Sequence, residues 1–203
     1  MSNGSIYDFT IKALPDIIIL DSSILLYAVF PSPTAPQEQR LFKQARFFLQ
    51  RVNQAFQDRT CNSLAPLQAI TECFHKITLT AVAPLVQDKA DIFNELKRRP
   101  ELITKAEVPK KLDEFCNKLR AIGIEVVQPS DIPEDESSIR FEVQMVNYIE
   151  DLQLLSADAH ILTVADRLGI EYVASLDKDF LRIIKEGFSV YTSPLLPIQP
   201  GKR

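Results

Sequence analysis

The sequence has few of the residues on which several common catalytic sites depend. It contains five glycines, three cysteines and two histidines in 203 residues. None of the glycines falls in a predicted strand-to-helix turn, so neither a glycine-rich phosphate loop nor a dinucleotide-binding turn is expected. The histidines, His75 and His160, both fall within predicted helices without suitable triad partners. This placement argues against nucleophilic catalysis by serine or cysteine.

Cysteine pattern and hydropathy exclude further classes. The three cysteines are scattered and lack the spacing of a metal site, so we expect reduced, structural thiols in a cytoplasmic protein. No charge-free apolar run is long enough to cross a membrane. The first apolar run is interrupted by Asp21 and preceded by Asp8 and Asp16, so we expect neither a signal peptide nor a membrane partner.

The overall composition is that of an ordinary globular protein, with 46% apolar residues, 25% charged residues and a net charge of −4. The net charge argues mildly against a nonspecific polyanion binder. The window 97–120 differs, because it holds eight basic residues against four acidic ones. Such a run is usually a solvated helical face. The alternative is an RNA-binding surface that includes Arg98, Lys110 and Lys111.

Three glycines, Gly123, Gly169 and Gly187, share one context: each follows a predicted helix and precedes a short apolar strand. A chain that repeats this unit builds a parallel sheet flanked by helices. We therefore predict an α/β fold with a mostly parallel central sheet.

The predicted organisation is one domain over 16–192, with a helical elaboration at about 84–122. A loose lead-in over 1–15 precedes it, and an extended tail over 193–203 follows it. Strands are expected near 16–20, 60–64, 124–127, 170–175 and 188–191. Helices are expected near 38–57, 66–79, 84–98, 109–122, 138–152, 155–168 and 178–186.

Acidic residues occur where these elements end or begin. Asp21 and Asp177 follow buried strands, and the carboxyl ends of parallel strands share one edge of a sheet. Asp158 is in the first turn of a helix that begins at that edge and runs antiparallel to the strands, and it heads an apolar stripe that includes Ile161 and Leu162. Each residue also has a purely structural interpretation: Asp21 and Asp177, or Asp179, as helix caps, and Asp158 as a helix-dipole partner.

Three carboxylates in one cleft would repel each other and raise their pKa values unless a cation neutralised them. Oxygen-only ligation favours a hard cation, Mg²⁺ or Mn²⁺. Such a site orients a phosphate group and activates water for in-line attack. The acidic residues therefore favour metal-dependent phosphodiester hydrolysis over the classes excluded above.

The same stretches resemble the PIN-domain family, typified by the VapC-type toxin ribonucleases. The matching segments are IIILDSSILL, SLAPLQAITECFHKI and LSADAHILTVADRLGIEYVASLDKDF. The resemblance covers most of 16–192 and is most specific at 155–180. It implies a three-layer αβα sandwich. The site that it implies is catalytic and metal-binding at Asp21, Glu72, Asp158 and Asp177, with Ser23 as a polar helper and Asp179 as a further or substitute ligand.

The family's activity implies an Mg²⁺- or Mn²⁺-dependent endoribonuclease that leaves a 3′-hydroxyl and a 5′-phosphate. The partners it implies are an RNA substrate, a second copy of the chain and, for toxin-like members, an antitoxin protein. A nuclease acting on DNA would use the same site.

Helical periodicity alone gives a different interpretation of Glu72. The predicted apolar stripe of its helix is Leu67, Ile70, Phe74 and Ile77, and Glu72 lies nearly opposite, which is typical of a solvated residue. The alternative function is therefore a catalytically incomplete PIN-like module that binds nucleic acid or protein.

Overall fold

The computed structural model describes residues 4–86, 91–132 and 139–196. Its six strands form one all-parallel sheet in the order β1-β6-β5-β2-β3-β4. The strands are β1 (Ile6–Asp8), β2 (Ile17–Leu20), β3 (Asn62–Pro66), β4 (Ile124–Val127), β5 (Tyr172–Ala174) and β6 (Ser189–Thr192). The parallel sheet predicted from the glycine-stopped units is confirmed.

Eight α-helices lie within the described ranges. They are α1 (Ser22–Leu25), α2 (Pro36–Gln57), α3 (Leu67–Val82), α4 (Ile92–Arg98), α5 (Glu101–Lys105), α6 (Val108–Ala121), α7 (Phe141–Leu152) and α8 (Ser156–Arg167). Short 3₁₀ segments occupy Leu26–Ala28, Ala83–Leu85, Pro129–Asp131 and Lys178–Glu186. No helix within these ranges combines the length and hydropathy needed to cross a bilayer.

The strand order explains the three layers. The connections from β2 to β3 and from β3 to β4 step toward one edge of the sheet, whereas the connection from β4 to β5 steps back. Because parallel crossovers are right-handed, α2 and α6 cover one face, and α7 and α8 cover the other. The expected αβα sandwich is therefore the observed architecture. α3 contacts α6, α8 and α1, so it links helices of the two outer layers.

The N-terminal segment corrects one prediction. Residues 1–15 were expected to be a loose lead-in, but Ile6–Asp8 forms the edge strand β1, paired in parallel with β6. Phe9 is fully buried and stacks on Phe48 with ring centroids 5.0 Å apart. A three-residue edge strand is too short to show a hydropathy pattern, which is why the sequence did not indicate it.

The helical elaboration is also more divided than predicted. Of the helix expected near 84–98, the described residues hold a 3₁₀ turn at Ala83–Leu85 and α4 at Ile92–Arg98, and 87–90 lies outside them. The helix α5 was not predicted. Val82, Val86, Leu102, Ala106 and Val108 form a small apolar cluster of their own beside the main core. The predicted loop over 129–138 is a 3₁₀ turn at Pro129–Asp131, and 133–138 lies outside the described residues, as does 197–203 of the predicted tail.

Gly123 and Gly169 both have positive φ angles, +76° and +65°, as expected for residues that end helices. Their surroundings differ. A Cβ on Gly123 would meet the ring of Phe56 at 2.0 Å, whereas a Cβ on Gly169 would meet nothing within 4 Å. The backbone cost of alanine is common to both positions, at about 1–2 kcal/mol. Only Gly123 adds a steric cost.

We expect Gly123→Ala to lower the free energy of unfolding by about 2–4 kcal/mol, and Gly169→Ala by about 1–2 kcal/mol. Urea unfolding followed by circular dichroism measures both. The double variant Gly123→Ala/Phe56→Ala should recover the steric part of the Gly123→Ala loss relative to Phe56→Ala alone. Equal losses for the two glycines would contradict the Phe56 contact.

Candidate functional site

The carboxyl ends of β2 and β5 bring two of the predicted site residues together. The two strands are neighbours, with Leu20 paired to Ala174. The backbone N–H of Asp21 donates to the carbonyl of Ala174 at 3.0 Å, so Asp21 and Ser175 leave the sheet side by side. Asp177 follows two residues later. The prediction that Asp21 and Asp177 share this edge of the sheet is confirmed.

Asp21 is 2% exposed and caps α1 with a single oxygen. Its Oδ2 accepts from the backbone N–H of Ser23 at 3.3 Å, from Ser23 Oγ at 2.5 Å and from Ser175 Oγ at 2.8 Å. Oδ1 accepts no hydrogen bond from any described residue. The cap interpretation is therefore confirmed and is compatible with a ligand role, because one oxygen remains available.

Ser175 is a site residue that the sequence analysis missed. Its side chain is fully buried, and its Oγ accepts from the backbone N–H of Asp177 at 2.9 Å while donating to Asp21. Ser23 Oγ accepts in turn from the backbone N–H of Leu176 at 2.9 Å. The two serines thus join the segments after β2 and β5. A polar residue at the end of an otherwise apolar buried strand was the signal that could have indicated it.

Asp158 faces the protein body, as the apolar stripe of its helix predicted. It is 9% exposed in the first turn of α8 and accepts no hydrogen bond from a described residue. Burial first, and then the negative charges of Asp21, Asp177, Glu72 and Asp179, together raise its pKa from 3.8 to about 7. The other four carboxylates therefore lie close enough to Asp158 for their charges to raise its pKa. We call this set the carboxylate cluster.

Glu72 joins the cluster, against the interpretation that periodicity alone favoured. It is half-buried, and its Oε2 accepts from Ser22 Oγ at 2.7 Å. The predicted apolar stripe was wrong at Leu67, which is 41% exposed. The buried line is Ala69, Ile70, Cys73 and Ile77. Because α3 packs against α1, α6 and α8 as well as the shorter α4 and α5, its buried face is broad and extends almost to Glu72.

The thiol of Cys73 lies close to two of the same negative charges. Its Sγ lies 3.7 Å from the carbonyl oxygen of Ser22. Burial, and then the charges of Asp21 and Glu72, raise the pKa of the Cys73 thiol far above its usual range. This thiol is therefore protonated and unreactive beneath the cluster.

Asp177 and Asp179 make different contacts. Asp177 is exposed and caps the 3₁₀ segment Lys178–Glu186, its Oδ1 accepting from the backbone N–H of Asp179 at 2.9 Å. Asp179 Oδ1 lies 3.0 Å from Nη2 of Arg182, so its charge is partly balanced. Asp177 also raises the pKa of Asp158 more than Asp179 does. Of the two, Asp177 is the better candidate ligand, and Arg182 is a second residue that the sequence analysis missed.

The three basic residues considered as RNA contacts take no part in these interactions. Arg98 pairs with Glu95 at 3.6 Å and Lys110 with Glu107 at 4.0 Å, both on the exposed surface of the helical elaboration. Lys111 is exposed and lines a separate groove that includes Phe30. Their placement is that of a solvated helical face, and nothing in it joins them to the carboxylate cluster.

No protein-family model and no curated protein matches this sequence.

The donor chemistry of the cluster fits a hard divalent cation. All the side-chain atoms that could ligate a metal are carboxylate oxygens. Within the described ranges Asp21 Oδ1, both oxygens of Asp158 and Asp177 Oδ2 accept no hydrogen bond from the protein. In these ranges, however, no group of three or more His, Cys, Asp or Glu side chains is arranged to hold a metal ion by itself. Mg²⁺ is usually bound by few carboxylates, and water and substrate phosphate fill the rest of its shell.

We expect Ser175→Ala to lower the free energy of unfolding by about 1–3 kcal/mol, because it removes the donor to Asp21 and the acceptor of the Asp177 N–H. Ser63→Ala is a matched control: Ser63 is 2% exposed on β3, and its Oγ has only a 3.9 Å contact with Cys61 Sγ. Thermal and urea unfolding measure both variants. A Ser175→Ala protein no less stable than Ser63→Ala would contradict the bridging role.

Proposed function

We propose that this protein is a metal-dependent endoribonuclease of the PIN type. The observation that supports this most is the environment of Asp158, a buried carboxylate that accepts no hydrogen bond from a described residue and has four other carboxylates around it. Such an arrangement of like charges costs stability. Clusters of this kind are typical of functional sites, where a ligand compensates for the repulsion.

Asp21, Asp158 and Asp177 would hold Mg²⁺ or Mn²⁺, with Glu72 and Asp179 at the margin of the same cleft. A cation bound there would neutralise the cluster, polarise a phosphate group and make water a better nucleophile. Neighbouring serine side chains of the protein orient the carboxylates of this site. Ser23 and Ser175 fix Oδ2 of Asp21 and thereby the direction of Oδ1. Ser22 similarly holds one oxygen of Glu72.

RNA, rather than DNA, is proposed as the substrate because the three matching segments resemble PIN ribonucleases. On the same grounds we propose a cytoplasmic protein that forms dimers and, if it is a toxin, binds an antitoxin protein. A second function is favoured by one observation, the absence of a complete metal-ligand group among the described residues. It is a catalytically incomplete PIN-like module that binds RNA or protein.

The decisive experiment incubates the purified protein with labelled single-stranded RNA, and separately with single-stranded DNA of the same sequence, in Mn²⁺ or in EDTA. Asp21→Asn and Asp158→Asn are the test variants. Asp113→Asn, which removes an exposed carboxylate from α6, is the matched control. We expect cleavage of RNA in Mn²⁺ by the wild type and the control only.

Cleavage that persists in EDTA, or in both test variants, would exclude the proposed site. Cleavage of DNA with no cleavage of RNA would correct the substrate. If neither is cleaved and Mn²⁺ does not shift the melting temperature, the binding module is the better description.

A further inference from the structure

A cavity of about 220 Å³ lies between the first turn of α3, the end of β4 and the body of α8. Its apolar walls include Val127, Ile132 and Val164. Pockets for drug-sized ligands usually measure about 300–1,000 Å³, so this cavity suits a smaller, flat group. None of the residues that line it is lysine or arginine, which makes it a poor site for a phosphate group.

Three polar side chains interrupt these apolar walls: Gln68, Thr71 and His160. The amide of Gln68 makes no hydrogen bond within the described ranges, so both its donor and its acceptor are available. Thr71 Oγ1 donates to the carbonyl of Leu67 at 2.9 Å and retains lone pairs that can accept. The Nδ1 atom of His160 is buried and has no hydrogen-bond partner among the described residues, and the ring contacts that of Phe141 edge-on, with centroids 5.1 Å apart.

The cavity and the carboxylate cluster lie at the same edge of the sheet. β2, which ends just before Asp21, and β4, which ends at Val127, are separated by β3 alone. Because adjacent strands are about 4.8 Å apart, the two strand ends are about 10 Å apart. Gln68 lies one helical turn before Glu72 on the same face of α3. A strand of nucleic acid with a phosphate at the cluster would carry a neighbouring base to the cavity.

We propose that this cavity binds one base of the RNA strand, next to the phosphate that the cluster cleaves. The inference rests on the proposed nuclease function and adds a specificity subsite to it. Single-stranded RNA is commonly recognised by bases that leave the stack, pack on apolar or aromatic side chains and hydrogen-bond through their edges. The apolar walls and the ring of His160 would contact the base, and Gln68 and Thr71 would read its edge.

Titration of the four nucleoside 5′-monophosphates into ¹⁵N-labelled protein in EDTA tests the cavity without any cleavage. Ribose 5-phosphate, which lacks a base, is the control ligand. We expect at least one nucleotide to shift the amide signals of the residues that line the cavity. Gln68→Ala should weaken this binding about three- to tenfold, as expected for one lost hydrogen bond. Gln57→Ala, an exposed position at the end of α2, should not.

A second measurement uses the nuclease directly. Sequencing the fragment ends of a randomised RNA gives the base preference beside the cleaved bond, and Gln68→Ala or Thr71→Ala should reduce that preference about three- to tenfold. If no nucleotide binds better than ribose 5-phosphate, or if the shifts lie away from the cavity, the subsite is wrong. If RNA is never cleaved but a nucleotide binds in the cavity, the proposed function fails while the base site stands.

Discussion

Asp158→Asn should make the metal-free protein more stable at pH 8, by about 1–3 kcal/mol, and should abolish metal-dependent cleavage. Asp158 accepts no hydrogen bond from a described residue, so asparagine loses no bond there. It removes a negative charge that is buried among four others. A pKa shift of one unit corresponds to about 1.4 kcal/mol. The expected gain in stability is smaller than the whole pKa shift implies, because the charged side chains can move apart and water can reach them. A gain of this size raises the melting temperature by about 2–4 °C per kcal/mol.

The pH dependence has a definite sign. The pKa of Asp158 is raised from 3.8 to about 7 in the folded protein, so folding takes up a proton between these values. Stability of the wild type therefore falls as the pH rises through this window, and the full cost is present above about pH 7. The Asp158→Asn variant has no carboxyl group at this position, so its stability does not include this pH-dependent loss. Its advantage should be small near pH 4, grow toward pH 7 and then level off.

The control for this prediction is Asp113→Asn, whose stability relative to the wild type should not change in the same way over that window. The wild type and the two variants are each unfolded by heat and by urea in EDTA at pH 4, 5.5, 7 and 8. Adding Mn²⁺ should then stabilise the wild type more than Asp158→Asn. An Asp158→Asn protein less stable than the wild type at pH 8 would show that the carboxylate is not buried among like charges.

The fold was predictable because its signals are local. The helix–glycine–strand units were predicted from the helix and strand periods and from three glycines at helix ends. Gly123, Gly169 and Gly187 do have the positive φ angles of that position. Parallel pairing then followed from the order of elements, and it placed Asp21, Asp158 and Asp177 at one edge. β1 is the exception, since a three-residue strand depends on β6 for its formation and has no period of its own.

The remaining parts of the site depend on contacts between distant segments. Glu72 was placed in the site only by resemblance, because the helical wheel cannot show that α3 packs against several helices at once. The position of Ser175 at the end of an apolar strand marks it as unusual but does not show that its partner is Asp21. Arg182 is defined by its partner Asp179, and arginine is not unusual at such a position. Sequence patterns predict which face of an element is buried, but not which polar groups meet there.

Asp21→Ala should have the opposite effect on stability, lowering the free energy of unfolding by about 2–4 kcal/mol while also abolishing cleavage. The aspartate caps α1 and accepts both serine hydroxyls on one buried oxygen. Loss of a cap costs about 0.5–2 kcal/mol, and a buried donor left without an acceptor costs about 1–3 kcal/mol. Relief of the repulsion with Asp158 offsets part of this loss, so we do not add the two values in full.

Asp21→Asn separates the two roles of this residue. Its amide oxygen can still accept from Ser23 and Ser175, so we expect a loss of less than about 1 kcal/mol together with the same loss of cleavage. Urea unfolding in EDTA and RNA cleavage in Mn²⁺ are measured on the same preparations. An alanine variant as stable as the asparagine variant would contradict the hydrogen-bond network around Oδ2. Together with Asp158→Asn, the series should yield inactive proteins that are more stable, nearly unchanged and less stable than the wild type, which no general unfolding of the site would produce.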